Sequence, residues 1–373
     1  MGKMEVNVAV ATKNGGYVLT SNSERKDWKN SKQFLAGEDV NKITRDKSGL
    51  YYAATLTEGV FTALNLNDTW KPSSRGLNVR KVWSLAADPH ADGTIYAGTQ
   101  YGHLFRSDDY AKTWNEVTGL HEAPGREKWG IDWGYGTTGL TIHTILLDHD
   151  KQGRMYIVVS GNGPYRSDDG GKTWKILKNG VQDSCPTMEF GKKLNGSNGD
   201  WEKQLGEHLS GVHSCTHKMV LSEKKTGTIF QQNHCGVYET GKMGEHWNDI
   251  SPGNDQRHGF PIDVIEGEKT SVFVVPARQD LCKKHNSCIQ GQLSVFRTED
   301  SGKSWKKLTA GLPGSVHTGV LRDSMDHDGM NKPGLYFGTS TGEVYGSLDL
   351  GDSWMQIGSG LGRVQGISAF VSA

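Results

Sequence analysis

The feature that most constrains this chain is a short phrase that returns along most of its length. It reads SDDYAKTW ending at Trp114, SDDGGKTW ending at Trp174, TEDSGKSW ending at Trp305 and SLDLGDSW ending at Trp354. Self-similarity of this kind implies repetition of one supersecondary unit. Each residue type has a physical reason. The opening Ser or Thr leaves a strand, and the Asp two positions on (Asp109, Asp169, Asp300, Asp349) accepts hydrogen bonds from its own turn. The Gly supplies a positive φ angle at little cost. The Trp starts the next strand and buries a large ring. Three weaker copies fill the gaps. TGKMGEHW, ending at Trp247, has Lys242 in place of the Asp, and the segments ending at Trp70 and Trp28 keep chiefly the Trp.

The seven Trp positions, 28, 70, 114, 174, 247, 305 and 354, are spaced by 42, 44, 60, 73, 58 and 49 residues. The shortest spacings match one four-stranded blade of roughly 40–45 residues, and the longer ones a blade plus insertions. Before each box stand two β-rich runs, such as Ile95–Thr99 and His103–Ser107, and after each Trp comes a further short apolar run. Val82–Ala86, Ile142–Leu146, His217–Leu221 and Gly319–Leu321 read as innermost strands. Val6–Thr12 and Tyr17–Ser21 read as the second and third strands of a blade whose innermost strand is Val364–Phe370. Pairing the two ends removes the open edges. The expectation is an all-β, seven-bladed β-propeller spanning residues 1–373 as one domain. Six blades are the alternative, because the first two boxes are weak.

Composition narrows the partners. Lys plus Arg and Asp plus Glu each number 42, so net charge argues against a nucleic acid. No run approaches the roughly 18 apolar residues that would suggest membrane insertion. The first residues lead straight into a strand with no signal-peptide core, which suggests a cytoplasmic protein, or a secreted or periplasmic one if a leader was removed. The five cysteines (185, 215, 235, 282 and 288) are odd in number, which argues against a complete disulfide framework. Cys282 and Cys288 flank a polar loop and are read equally as a bridge or as two free thiols.

In a propeller, the boxes fall at the corner between the third and outermost strands, on what is here called the bottom face, where turn chemistry explains every residue. The insertions after Trp114, Trp174 and Trp247, and the one holding Ala277–Gly291, map to the opposite, top face. Long loops gathered on one face argue for a built site. His143 and His217 open neighbouring inner strands, and His234 sits at the next corner, so all three fall at the top rim of the channel. Three such imidazoles are a candidate set for a divalent transition metal, zinc, copper or iron, with Cys215 and Cys235 as extra soft ligands. The bland reading is that fourteen histidines place a few near any channel, hydrogen-bonded to loop carbonyls. His317 is placed similarly two blades on, and His103 at a further corner. Trp129 and Trp133 offer faces for a sugar or another flat ligand, or else form the core of their own loop. Asp132, Glu189 and Glu207 are the carboxylates nearest these features. Arg257 and Arg278 are among the arginines there.

The boxes resemble the Asp-box of sialidase-like β-propellers, and the resemblance covers the whole chain. More narrowly, QQNHCGVY at 231–238, CTHK at 215–218, GFPI at 259–262 and YFGTSTG at 336–342 resemble a prokaryotic group usually labelled exo-α-sialidase or glycosyl hydrolase. The resemblance implies the fold and a glycan-type label. Sialidases carry an Arg-Ile-Pro motif and an arginine triad that grips the substrate carboxylate. No Arg-Ile-Pro occurs here, and Arg25 and Arg45 lack that context, so a conventional sialidase is not expected. Three classes remain: a top-face enzyme with a His-rich, metal or acid–base site acting on a small or glycan-like substrate; a glycoside hydrolase or lyase with paired carboxylates; and a non-catalytic binding or assembly module with a protein partner.

Overall fold

The computed structural model describes residues 4–128, 140–181, 215–253, 256–277 and 289–372. Seven four-stranded antiparallel sheets form the blades. The first blade holds Glu5–Thr12, Gly16–Asn22 and Lys29–Asn30, and takes Val364–Ser372 as its innermost strand. Pairing runs from Glu5 opposite Ser372 to Ala11 opposite Gly366, so the end of the chain closes the ring. The inner strands of blades 2 to 7 are Val40–Arg45, Val82–Ala87, Ile142–Leu147, Thr216–Leu221, Gly259–Glu266 and Met325–His327. Each packs against the next around the channel, and the last returns to Val364–Ser372. Seven blades are therefore present, and the weak copies at Trp28 and Trp70 are real corners.

All seven Trp residues stand immediately before an outermost strand. The fourth blade shows why the box has its sequence. Asp169 Oδ1 accepts from Ser167 Oγ at 2.8 Å and Thr173 N at 2.9 Å, while Oδ2 accepts from Thr173 Oγ1 at 2.6 Å. These bonds, led by those from Thr173, hold the carboxyl down to about 2. Gly171 adopts φ +91°, and its N–H donates to Ser167 Oγ. The indole then joins blades: Trp114, Trp247 and Trp305 donate Nε1–H to the carbonyls of Ser73, Leu177 and Ile250, each in the preceding blade. Between blades 2 and 3, Trp114 shares a buried cluster with Tyr52, Leu77, Val82 and Ile95. The bottom corners thus staple each blade to its neighbour.

One strand differs from expectation. Gly319–Leu321 is not a strand; the inner strand of blade 7 starts at Met325. Ser340 N–H donates to Gly319 O and Gly338 N–H to Ser324 O, which leaves Val320–Asp323 looped out opposite the single residue Thr339. His317 accordingly does not reach the channel rim. It is exposed on Val316–Thr318, which pairs with Ile289–Gly291 of the blade 6 insertion.

If the box is a staple, removing its acceptor is costly where the bonds exist and harmless where they do not. Asp169→Ala is expected to lower stability by about 1–3 kcal/mol in urea unfolding. Lys242→Ala, at the equivalent exposed position of the degenerate box, is expected to change it by no more than about 0.5 kcal/mol.

Candidate functional site at the channel mouth

Inner strands run from the top face to the bottom, and each breaks register near its top. The surplus residue is Gln365 in blade 1, Asn41 in blade 2, Trp83 in blade 3, His143 in blade 4 and His217 in blade 5. In blade 6 Phe260 and Pro261 stand opposite the single residue Val275, a surplus of one. In blade 7 it is the longer run ending in Arg322 and Asp323. A β-bulge of this kind bends the strand and re-aims a side chain. Several of these side chains reach the next inner strand. Gln365 Nε2 donates to Val40 O at 2.9 Å, Asn41 Nδ2 to Trp83 O at 2.5 Å and His217 Nδ1 to Gly259 O at 2.5 Å. The histidines expected as ligands thus include at least one latch between blades.

His217 nevertheless lies in a histidine cluster. Its ring is 5.5 Å from His234 and 5.3 Å from His258, and His234 and His258 are 4.8 Å apart, all between centroids. Phe260 stacks on His217 at 4.3 Å. All three imidazoles are buried. His258, which precedes the GFP phrase by one residue, was not singled out from the sequence; its position beside Gly259 was the available signal. His143, by contrast, belongs to the preceding blade. Its Nδ1 faces Thr144 Oγ1 at 3.2 Å, and its Nε2 is buried without a partner among the described residues. Among those residues, metal-ligating atoms converge within 4.8 Å in two groups, His103/Glu116/His121 and Asp263/Asp326/His327, and the set of His143, His217 and His234 is not one of them.

Burial holds His143 and His217 well below the usual histidine range. For His143 the charges of Arg322 and Lys218 add to the effect; for His217, those of His258 and His234. Both are neutral at pH 7, able to exchange hydrogen bonds but weak as bases. Burial also raises the Cys215 thiol, against the lowering effect of Arg322, which makes it a poor nucleophile. Cys215 is a free thiol.

Arg322 is the residue that sequence reasoning missed. It comes from blade 7, and its guanidinium carbon lies 6.0 Å from the ring centroid of Trp83, in blade 3 across the channel. Its charge reaches His143 and His217 on the way. Its Nε is buried and has no partner among the described residues, and no ion pair joins its guanidinium to one, although the charge of the neighbouring Asp323 reaches it. Trp83 Nε1 is a second buried donor without an acceptor among the described residues. Unmet donors cost about 1–3 kcal/mol each, so this mouth is suited to an oxygen-rich occupant.

Deeper in the channel the charges are paired. Asp323 accepts from Lys218 Nζ and lies 4.0 Å from Lys42 Nζ. Burial pushes its carboxyl up, but the two lysines outweigh that and hold it low. His327 Nδ1 donates to Asp263 Oδ2 at 2.9 Å, and that carboxylate is the main reason its imidazole rises to about 10. Asp326, beside them, is raised by burial.

The remaining expected site residues fall elsewhere. Arg257 donates from Nε to Cys235 O at 2.8 Å and pairs with Asp249, clamping blade 5's outer strand to its top corner. Trp129, Trp133, Asp132, Glu189, Glu207 and Arg278 lie outside the described residues.

With this architecture in view, the comparisons with known proteins are consistent. A family model described as the BNR-Asp box repeat matches residues 104–117, the third box. The chain is a BNR/Asp-box-repeat β-propeller. It is similar to xyloglucanase Xgh74A of Acetivibrio thermocellus, at 22% identity over 60% of this chain and 25% of that one. It is also similar to the oligoxyloglucan-reducing end-specific xyloglucanase of Emericella nidulans, at 20% identity over 82% of this chain and 39% of that one. The chain therefore spans well under half the length of these relatives. Among solved structures, an ancestral GH74 enzyme superposes with a TM-score of 0.58 at 16% identity, over 84% of this chain and 38% of that one.

The buried imidazoles and the His327–Asp263 pair give stability opposite pH limbs. His143 and His217 are depressed, so their contribution is full above about 6.5 and is lost as pH falls below it. His327 is raised, so its contribution is full below about 6.5 and is lost as pH rises through about 10. Melting temperature measured from pH 4.5 to 10.5 should peak near neutrality. His217→Gln should shallow the acid limb and His327→Gln the alkaline limb.

Proposed function

We propose that this propeller is a glycan-binding protein of the glycoside-hydrolase type, whose ligand enters the top mouth of the channel and is anchored there by an anionic group, most simply a sugar carboxylate. The observation that carries the reading is Arg322: a cation drawn away from bulk water, with no ion pair to a described residue, lying over the Trp83 ring and beside neutral imidazoles. A guanidinium so placed suits a carboxylate, which it grips with two parallel hydrogen bonds. Trp83 supplies an apolar face of the kind that stacks on sugar rings. Similarity to xyloglucanases supports a carbohydrate as the ligand class.

Recognition is the part of this reading that the described residues support. Hydrolysis requires a carboxylate pair of opposite protonation. Asp323 stands near the mouth but is committed to Lys218 and Lys42.

The test is calorimetric titration with oligogalacturonate, oligoglucuronate and neutral xyloglucan fragments. Acidic oligosaccharides should bind more tightly than xyloglucan. Arg322→Ala should weaken acidic binding about 10–100-fold, the loss of one or two charge-assisted hydrogen bonds. Equal binding of neutral fragments, unaffected by Arg322→Ala, would overturn the proposal.

A further inference from the structure

A second site lies on the same face, outside the channel. His103 stands at the top corner of blade 3, between Ile95–Thr99 and Leu104–Ser107. Glu116 ends that blade's outer strand, and His121 belongs to the short 3-10 helix Thr118–Glu122 that follows. The strand pairing that sets Phe105 opposite Glu116 brings residues 13 apart in sequence side by side, and the helix folds His121 back over them. His103 Nδ1 then lies 2.5 Å and His121 Nε2 2.8 Å from one and the same oxygen, Glu116 Oε1. The imidazoles meet edge to face, 6.1 Å between centroids.

We propose that His103, Glu116 and His121 form a binding site for a divalent transition-metal ion, with zinc the best match to the donor set. Two imidazole nitrogens and one carboxylate oxygen are borderline ligands of the kind zinc takes at about 2.0–2.2 Å. Around a tetrahedral ion such ligands sit about 3.3–3.5 Å apart. The two imidazoles need to withdraw from the carboxylate by less than about 1 Å to reach that spacing. The side chains have room to do so, since His103, Glu116 and His121 are 26, 22 and 44% exposed. Burial raises the Glu116 carboxyl, but the hydrogen bonds from the two imidazoles outweigh it and keep it ionised. Metal binding exchanges those two hydrogen bonds for two coordinate bonds, with the ring proton of each imidazole carried on the nitrogen that does not face the ion. Three protein ligands leave a fourth position for water or an anion. Arg126 adds positive charge there: it is held by the Gly102 carbonyl at 3.2 Å, and its charge reaches Glu116, so the fourth ligand is expected to be anionic. The sequence spacing, His103 to Glu116 to His121, matches no short ligand motif, and only the strand pairing reveals it.

The test uses the full chain, stripped with chelator and dialysed at pH 7.5 against buffered Zn2+, with bound metal read by elemental mass spectrometry. One zinc per chain is expected. His121→Ala and Glu116→Gln should each weaken binding at least tenfold. His121 is half exposed, so an unchanged melting temperature of the metal-free variant distinguishes a lost ligand from a lost fold. His217→Gln, in the buried histidine cluster, should keep its zinc. The proposal is overturned if wild-type protein takes up no stoichiometric zinc, if zinc survives His121→Ala and Glu116→Gln unchanged, or if it disappears only in His217→Gln.

Discussion

The register break near the top of every inner strand is what the rest of this structure depends on. Seven strands crowd around one channel, and below the break each pairs with its own blade in the ordinary way. At the break one residue leaves the ladder, and its side chain is turned from blade-internal packing toward its neighbours. Gln365, Asn41 and His217 use that freedom to bond the next blade's backbone. In blade 7 the surplus is longer, and it releases Arg322 across the channel and Asp323 toward Lys218 and Lys42. One structural device therefore serves two ends. It ties the ring together at the top, as the Asp-boxes and their indoles do at the bottom, and it sets a polar mouth where a ligand can be met.

The division between faces follows from the same geometry. The Asp169 turn is short and saturated: both oxygens of its carboxylate have partners within their own turn. The top mouth is the reverse. It holds buried nitrogens without partners among the described residues, a guanidinium without an ion pair, and imidazoles kept neutral by burial. Local unsatisfied chemistry on a rigid, well-satisfied scaffold is the usual signature of a functional site. The paired charges lower in the channel fit this picture. Lys42 and Lys218 share the single Asp323 carboxylate, whose charge also reaches Arg322, while the Arg322 guanidinium makes no ion pair with a described residue.

The sequence made much of this legible. Trp spacing announced seven corners because an indole that staples blades cannot be replaced by a smaller side chain without leaving a cavity. Val364–Phe370 could be matched to Val6–Thr12 because both alternate apolar residues with no other partner in reach. The bulges were invisible, since a surplus residue shows only against its paired strand. That is why Gly319–Leu321, a plausible apolar run, reads as a strand, and why Arg322 carries no signal in the sequence. A hint was present: setting Phe337-Gly338 against the blade 7 inner strand, as in the other blades, leaves a surplus of several residues that must loop out. His103 and His121 were individually visible, but Glu116 joins them only through the pairing of Leu104–Ser107 with Asn115–Glu116.

The central claim is that the bulge of blade 7 presents Arg322 as the anchor for an anionic sugar. A crystal structure with a bound uronate oligosaccharide tests it most directly. The account predicts the carboxylate over the channel mouth, with two oxygen–nitrogen distances of about 2.8 Å to the Arg322 guanidinium and a sugar ring near Trp83. A ligand seated on another face, or an Arg322 guanidinium paired with a carboxylate of the chain itself, would contradict it.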